Sequence, residues 1–108
     1  MELQNKHCVP CEGGAAALQP EEANRLLQEI PDWRFNETAT KISKEFVFKD
    51  FLAAMAFVDK IATLAESEGH HPDIHIFYNK VLIELSTHAV NGLSENDFIL
   101  AAKLEEIH

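Results

Sequence analysis

Apolar residues recur at Ala23, Leu26, Leu27 and Ile30 in the segment that follows Pro20, the spacing of one helical face. Pro20 suits the first position of such a helix, and Pro31 closes it. The pattern then changes. Trp33 to Phe35 and Lys41 to Phe48 alternate, with Ile42, Phe46 and Phe48 on one side, which predicts two short antiparallel strands joined through residues 36–40. Helical spacing returns after Asp50, a good N-cap, and stops at Gly69; the expected core stripe is Phe51, Ala54, Met55, Val58, Ile61, Ala62 and Ala65. Asp73 to Thr87 alternates again and predicts a hairpin with Asn79-Lys80 as its loop. Ser94-Glu-Asn-Asp97 has the form of a capping box ahead of a last helix, FILAAKLEEI.

These elements predict an α+β fold: a four-stranded antiparallel sheet with three helices packed on one face. The expected domain spans 18–108, behind a flexible N-terminal arm at 1–17 that ends in GGAAA. Phe57 and Leu64 lie off the predicted stripe, and Phe98 to Ala102 is apolar around most of its circumference. So much apolar helix surface on a small domain predicts self-association, as a homodimer or homotetramer.

Composition narrows the classes of partner. Nine basic against eighteen acidic side chains give a formal charge of −9, which opposes capture of nucleic acid or of an anionic membrane. No apolar run approaches the roughly 18 residues of a membrane span. The start, MELQNKHCVPCEGG, has no apolar stretch behind a basic beginning, so no secretory signal is expected and the cytoplasm is the expected location. Cys8 and Cys11 form a lone C-V-P-C without a second ligand pair, read as reduced thiols in the arm rather than a zinc knuckle.

The candidate chemistry is concentrated in histidine. Four of the six histidines fall between Glu66 and His88. With Asn79-Lys80 in the loop, Ile76 opposes Ile83, Ile74 opposes Leu85, and His71 opposes His88. His70 precedes His71, so three imidazoles are expected at the open end of the hairpin. Glu66, in the last turn of the long helix, sets a carboxylate against the helix dipole and is expected to take a neighbouring histidine as partner. Asp97 has two readings, as the third residue of the capping box and as a group facing the site. His75 is expected to meet Glu84 and to be structural. Adjacent strand residues point to opposite faces, and neither H-E-x-x-H nor H-x-H occurs, so no metal is expected. Two readings stay open: paired proton transfer by imidazoles, which titrate near neutrality, and polar capping of strand ends.

The spaced pattern Glu66-x3-His70-His71-Pro72-x5-Tyr78-x9-His88-x8-Asp97 resembles the signature of the pterin-4a-carbinolamine dehydratase family. PEEANRLL, the early Trp33, the YNKV turn and STHAVNGLSENDF extend the likeness over most of the chain. The resemblance implies dehydration of 4a-hydroxytetrahydrobiopterin to the quinonoid dihydropterin, with no cofactor. It implies a functional link to phenylalanine hydroxylase, whose spent pterin is the substrate. By the same resemblance, His70 and His88 are the acid and base, His71 orients the pterin, and Glu66 holds His70. Asp97 contacts His88 or the substrate edge, and Ser86 and Thr87 offer polar contacts. Trp33 either stacks on the ring or lies in the core. Animal members double as dimerisation partners of a homeodomain transcription factor, so a non-enzymatic scaffold is the rival expectation.

Overall fold

Pro20 opens the first helix of the computed structural model, which describes residues 3–9 and 16–108. The helices are α1 (Pro20–Leu27), α2 (Phe51–Glu68) and α3 (Glu95–Ile107). The strands are β1 (Arg34–Phe35), β2 (Ile42–Val47), β3 (Asp73–Phe77) and β4 (Lys80–Leu85), in the antiparallel order β1-β2-β4-β3. The expected α+β architecture is the observed one. No helix among the described residues is long and apolar enough to cross a membrane.

Ala23, Leu26 and Ile30 are buried as the spacing predicts. The helix nevertheless ends at Leu27, and the N–H groups of Glu29 and Ile30 make tighter 3.0 Å bonds to the carbonyls of Leu26 and Leu27. Pro31 accounts for this, because a proline excludes its predecessor from the α region.

In α2 both ends follow expectation. Asp50 Oδ1 accepts from the Ala53 N–H at 2.8 Å, and Gly69 closes the helix in the left-handed region at φ 67°. The buried stripe is rotated, however: it comprises Ala54, Phe57, Ile61 and Ala65, while Phe51 and Ala62 are exposed. Both stripes have helical spacing. Phe46 in β2 and Phe48 just beyond it decide between them, since the Phe57 ring sits 4.8 Å from Phe46 and 5.2 Å from Phe48.

Helix α3 is central, and Phe98 to Ala102 are all buried within the chain between sheet, α1, α2 and a 3₁₀ turn at Leu3–Asn5. Its apolar circumference is therefore satisfied internally and no longer argues for self-association. Among the described residues, the large apolar groups left outside are Val9, Val47, Phe51, Leu52, Ile76, Phe77 and Tyr78.

The N-terminal segment departs from the loose arm over the residues described. Leu3 is buried, Lys103 Nζ donates to the Gln4 carbonyl at 2.9 Å, and Asn96 exchanges bonds of 2.6 and 3.0 Å with the backbone of Val9. An apolar anchor plus a satisfied backbone ties this stretch to α3. Cys11 lies outside the described residues, so the C-V-P-C pair does too.

The hairpin has the expected faces and a different register. Ile76 pairs with Val81, Ile74 with Ile83 and Phe77 with Lys80, which leaves Tyr78-Asn79 as the loop. Tyr78 takes φ 55°, while Asn79 is pinned to the end of β2: its carbonyl accepts from the Phe48 N–H at 2.8 Å, and its amide donates to the Phe48 carbonyl at 2.9 Å. A slip of two residues keeps each side chain on its face, so alternation alone cannot detect it. Its consequence is that His71 is not opposite His88, which lies in a short 3₁₀ turn at His88–Val90.

Candidate active site

Gly69 separates the two adjacent histidines from α2, and the extended chain after it turns them to opposite sides. His70 goes inward, its side chain 12% exposed, and His71 outward, 59% exposed. Neither carboxylate holds the group expected of it, His70 for Glu66 and His88 or the substrate edge for Asp97. His71 Nε2 lies 2.8 Å from Glu66 Oε1, whereas His70 Nε2 lies 2.6 Å from Asp97 Oδ1. Glu66 is 79% exposed, a pairing worth little in water.

Asp97 is fully buried at the start of α3. Its Oδ2 accepts from the Ser94 N–H at 3.0 Å, the carboxylate half of the capping box, and from Thr87 Oγ1 at 2.8 Å. Its Oδ1 meets His70. One carboxylate thus satisfies both readings of this residue, capping a helix and holding an imidazole. Because the carboxylate accepts, His70 Nε2 is the donor, which leaves the Nδ1 lone pair as the ring's free basic site. Asp97 also joins His70 to the strand end carrying the third histidine, through Thr87, the residue before His88. Contrary to expectation, Asp97 has no bond to His88.

His88 is exposed, with no side-chain partner among the described residues. It lines a shallow groove of about 220 Å³ with Thr40, Lys41, Ser86, Thr87, Asn91 and Gly92. Ser86 is half-buried there. The isolated bridge between Thr87 and Gly92 and the left-handed Asn91 (φ 53°) fold the chain back so that His88 projects beside the β1–β2 loop. Thr40, Lys41 and Asn91 were missed in the sequence; the Asn91-Gly92 dipeptide is a turn signal that marks this bend.

Two candidates fall elsewhere. Trp33 is 2% exposed, with its Nε1–H donating to Glu105 Oε2 at 3.0 Å and its ring edge-on to Phe46. It is core, and no substrate can stack on it. His75 Nε2 lies 2.9 Å from Glu84 Oε1, the expected contact, although the residue directly opposite His75 is Leu82. A recess of about 490 Å³ is lined by Asp32, Arg34, Ser43, Lys44, Glu45 and Leu82 and holds none of the histidines. Among the described residues, no group of three or more His, Cys, Asp or Glu side chains is arranged to hold a metal ion.

A second cluster lies behind the first. Glu68 accepts from the Cys8 N–H at 2.8 Å and meets His7 Nδ1 at 3.1 Å, with Lys103 Nζ at 3.7 Å. Burial pushes its carboxyl up, yet these donors and charges together hold it below the usual carboxylate range. Burial, followed by the charges of Glu68 and Asp97, pushes the Cys8 thiol up to about 12.

Comparison with known proteins agrees with this geometry. The chain is 47% identical over 105 residues to a provisionally named pterin-4-alpha-carbinolamine dehydratase of Methylococcus capsulatus, covering 97% of this chain and 92% of that one. A similarly named protein of Halorhodospira halophila is 41% identical over 99% of this chain and 98% of its own. Among solved structures, a transcriptional coactivator/pterin dehydratase from Brucella melitensis superposes with a TM-score of 0.80 at 35% identity, covering 84% of this chain and 97% of that one. A pterin dehydratase-like protein identified as a RuBisCO assembly factor in the alpha-carboxysome matches with a TM-score of 0.62 at 27% identity, over 70% and 88%. The model of the family described as pterin 4 alpha carbinolamine dehydratase matches residues 16–107, and with the full-length relatives this shows that the chain belongs to that family.

Proposed function

We propose that this protein dehydrates 4a-hydroxytetrahydrobiopterin or a close relative, regenerating the quinonoid dihydropterin for an aromatic amino acid hydroxylase such as phenylalanine hydroxylase. The reaction removes one water. The C4a–O bond breaks, the oxygen leaves with a donated proton, and N5 loses its proton as the C4a=N5 bond forms. One acid and one base suffice. The observation carrying the reading is the buried Asp97–His70 pair, in which a carboxylate accepts from Nε2 and fixes the orientation of the imidazole.

In this reading His70 Nδ1 takes the N5 proton. His88, exposed in the groove, donates to the departing oxygen, and His71 with Glu66 steadies the pterin from the outer side. Ser86 offers a hydroxyl to the ring, and Thr87 acts through Asp97. Each proton transfer is worth about 10²–10⁴ in rate. A base and an acid that act together give a bell-shaped profile in pH.

A scaffold role is the second reading. It is favoured by the exposed apolar groups Phe51, Leu52, Phe77 and Tyr78 and by the coactivator and assembly-factor roles named for two structural relatives. The same surface supports a homodimer or homotetramer, and the cytoplasm suits either role. The test is dehydratase turnover of freshly generated 4a-hydroxytetrahydropterin by wild type, His70→Ala and His88→Ala. Strong acceleration lost in folded variants supports the enzyme; a folded wild type without acceleration sinks it and leaves the scaffold.

A further inference from the structure

We propose that the N-terminal segment Leu3–Val9 is a positioning element of the active site: it bridges the last turn of α2 to the first turn of α3 and so holds His70 in register with Asp97. This deepens the dehydratase reading and rests on it. The bridge falls beside both members of the pair. On α2 it takes Glu68, two residues before His70: the Cys8 N–H donates to Oε1 at 2.8 Å, and His7 Nδ1 lies 3.1 Å from Oε2. On α3 it takes Asn96, the residue before Asp97. The Val9 N–H donates to Asn96 Oδ1 at 3.0 Å, Asn96 Nδ2 donates back to the Val9 carbonyl at 2.6 Å, and the Cys8 thiol reaches the Asn96 carbonyl at 3.6 Å. Lys6 adds a 2.7 Å bond to Glu95 in the same turn. Cys8 by itself bonds to both helices.

His70 needs such support because its own linkage to α2 is loose. Gly69 ends the helix in the left-handed region at φ 67°, in space so open that an added Cβ would meet nothing within 4 Å. The next N–H, that of His70, makes a long 3.3 Å bond back to the Ala65 carbonyl. Where the imidazole stands therefore depends on how the end of α2 is set against the start of α3. Between the helices themselves, Glu68 and Lys103 stand 3.7 Å apart, too far for a hydrogen bond. The tight bonds at this junction, apart from that of His70 with Asp97, run through the N-terminal segment. Precision matters there, because a displacement of about 1 Å at a reacting group costs up to about 10²-fold in rate.

The chemistry of the bridge is that of a locator rather than a seal. Leu3 is buried in the core and would by itself anchor an apolar cover. Glu68 and Asn96 are instead buried polar groups, 7% exposed at the Glu68 side chain and 5% at Asn96. Burying such groups costs free energy unless their bonds are made, and bonds of defined direction fix one register where apolar contact tolerates several. The Cys8 thiol is close enough to feel the charge of Asp97 as well as that of Glu68. No residue of the segment lines the His88 groove, so it acts through His70 and Asp97 and not on the substrate. It also precedes residue 16, where the family match begins.

The experiment compares full-length wild type, Glu68→Ala, Asn96→Ala, their double variant and Glu68→Gln in dehydratase turnover and in proton NMR of the His70 Nε2–H. That proton faces a buried carboxylate, so it should appear far downfield in wild type, and its absence from His70→Ala assigns it. Each alanine variant is expected to lose about tenfold in kcat with KM within about twofold, and its His70 proton should broaden through faster exchange with water. The double variant should lose no more than the larger single loss, since either change releases the same segment. Glu68→Gln keeps an oxygen for the Cys8 N–H and should retain most of the kcat. Asn96→Ser, which loses the paired Val9 bonds but keeps a hydroxyl, takes the place of Asn96→Ala if that variant does not fold. Wild-type kcat in both single variants, a His70 proton unchanged in both or unseen in wild type, or losses that multiply in the double variant overturn the positioning role alone. A folded wild type without turnover overturns the dehydratase reading and this inference with it.

Discussion

Asp97 Oδ1 stands 2.6 Å from His70 Nε2 while Asp97 Oδ2 caps α3, so the acid that fixes the helix start also fixes the imidazole. Replacing it separates the two jobs. In Asp97→Asn, one oxygen and one NH₂ must serve two sides that both present donors, and His70 is freed to bond in its other tautomer. The expected result is a fall in kcat of about 10²-fold with a smaller change in KM. Thermal unfolding should shift down, because a buried donor on one side is left unmatched. A variant with wild-type kcat would remove His70 Nδ1 from the chemistry.

Thr87 tests the same network from the strand side. Its hydroxyl is buried, donates to Asp97 at 2.8 Å and shares a 2.8 Å bond with Ser94. Thr87→Val keeps the shape and loses both, at a cost of about 1–3 kcal/mol read by urea unfolding. Thr87→Ser should restore the bonds and most of the activity. If valine and serine behave alike, the hydroxyl has no part in holding Asp97.

How far the sequence carried this picture depends on the kind of information needed. Helix ends were legible because caps are local: Asp50, Gly69 and Ser94 each act within a few residues. The buried face of α2 was not, since Phe51 and Phe57 both obey helical spacing and only the rings of Phe46 and Phe48 choose between them. The hairpin register escaped for a related reason. A two-residue slip preserves alternation, and the contact that sets it, Asn79 with Phe48, joins the loop to another strand. The members of the histidine cluster were identified, but not the carboxylate that holds His70. Sequence distance favoured Glu66 for His70, whereas the turn at Gly69 swings His70 away from α2 and onto Asp97, 27 residues on.

Glu66 should therefore behave differently from Asp97. Its pairing with His71 is largely exposed on both sides. Glu66→Gln is expected to change stability by less than about 0.5 kcal/mol. Any effect should appear in KM for the pterin, with the acid limb of kcat retained. A large loss of kcat at unchanged KM would place Glu66 in the proton-transfer machinery instead.

Glu68 gives the protein a stability that depends on acid. Its carboxyl is held below the ordinary range in the folded chain by Cys8, His7 and Lys103 despite burial. A group whose folded pKa is depressed binds protons more readily when unfolded, so its contribution is complete above the unfolded carboxylate value, near 4.3, and fades as pH falls through the folded one. Urea unfolding of wild type and Glu68→Gln should differ by a constant amount from about pH 6 to 7 and converge toward pH 3. A gap that stays constant into acid would show that charge at Glu68 is not what ties the N-terminal segment down.

Cys8 reports on the same contact by its chemistry. With the thiol pushed up to about 12, roughly one Cys8 in ten thousand is a thiolate at pH 8, and the thiolate is the nucleophile. Alkylation by iodoacetamide, followed residue by residue in digested peptides so that Cys11 is scored separately, should be far slower at Cys8 in native protein than in urea. Glu68→Gln removes the second cause of the raised value, the Glu68 charge, so it should speed native labelling. Native and unfolded rates that coincide in wild type would mean that Leu3–Val9 does not stay seated on α2 and α3. The packing of Leu3 and the paired bonds of Asn96 with Val9 argue for the slow rate.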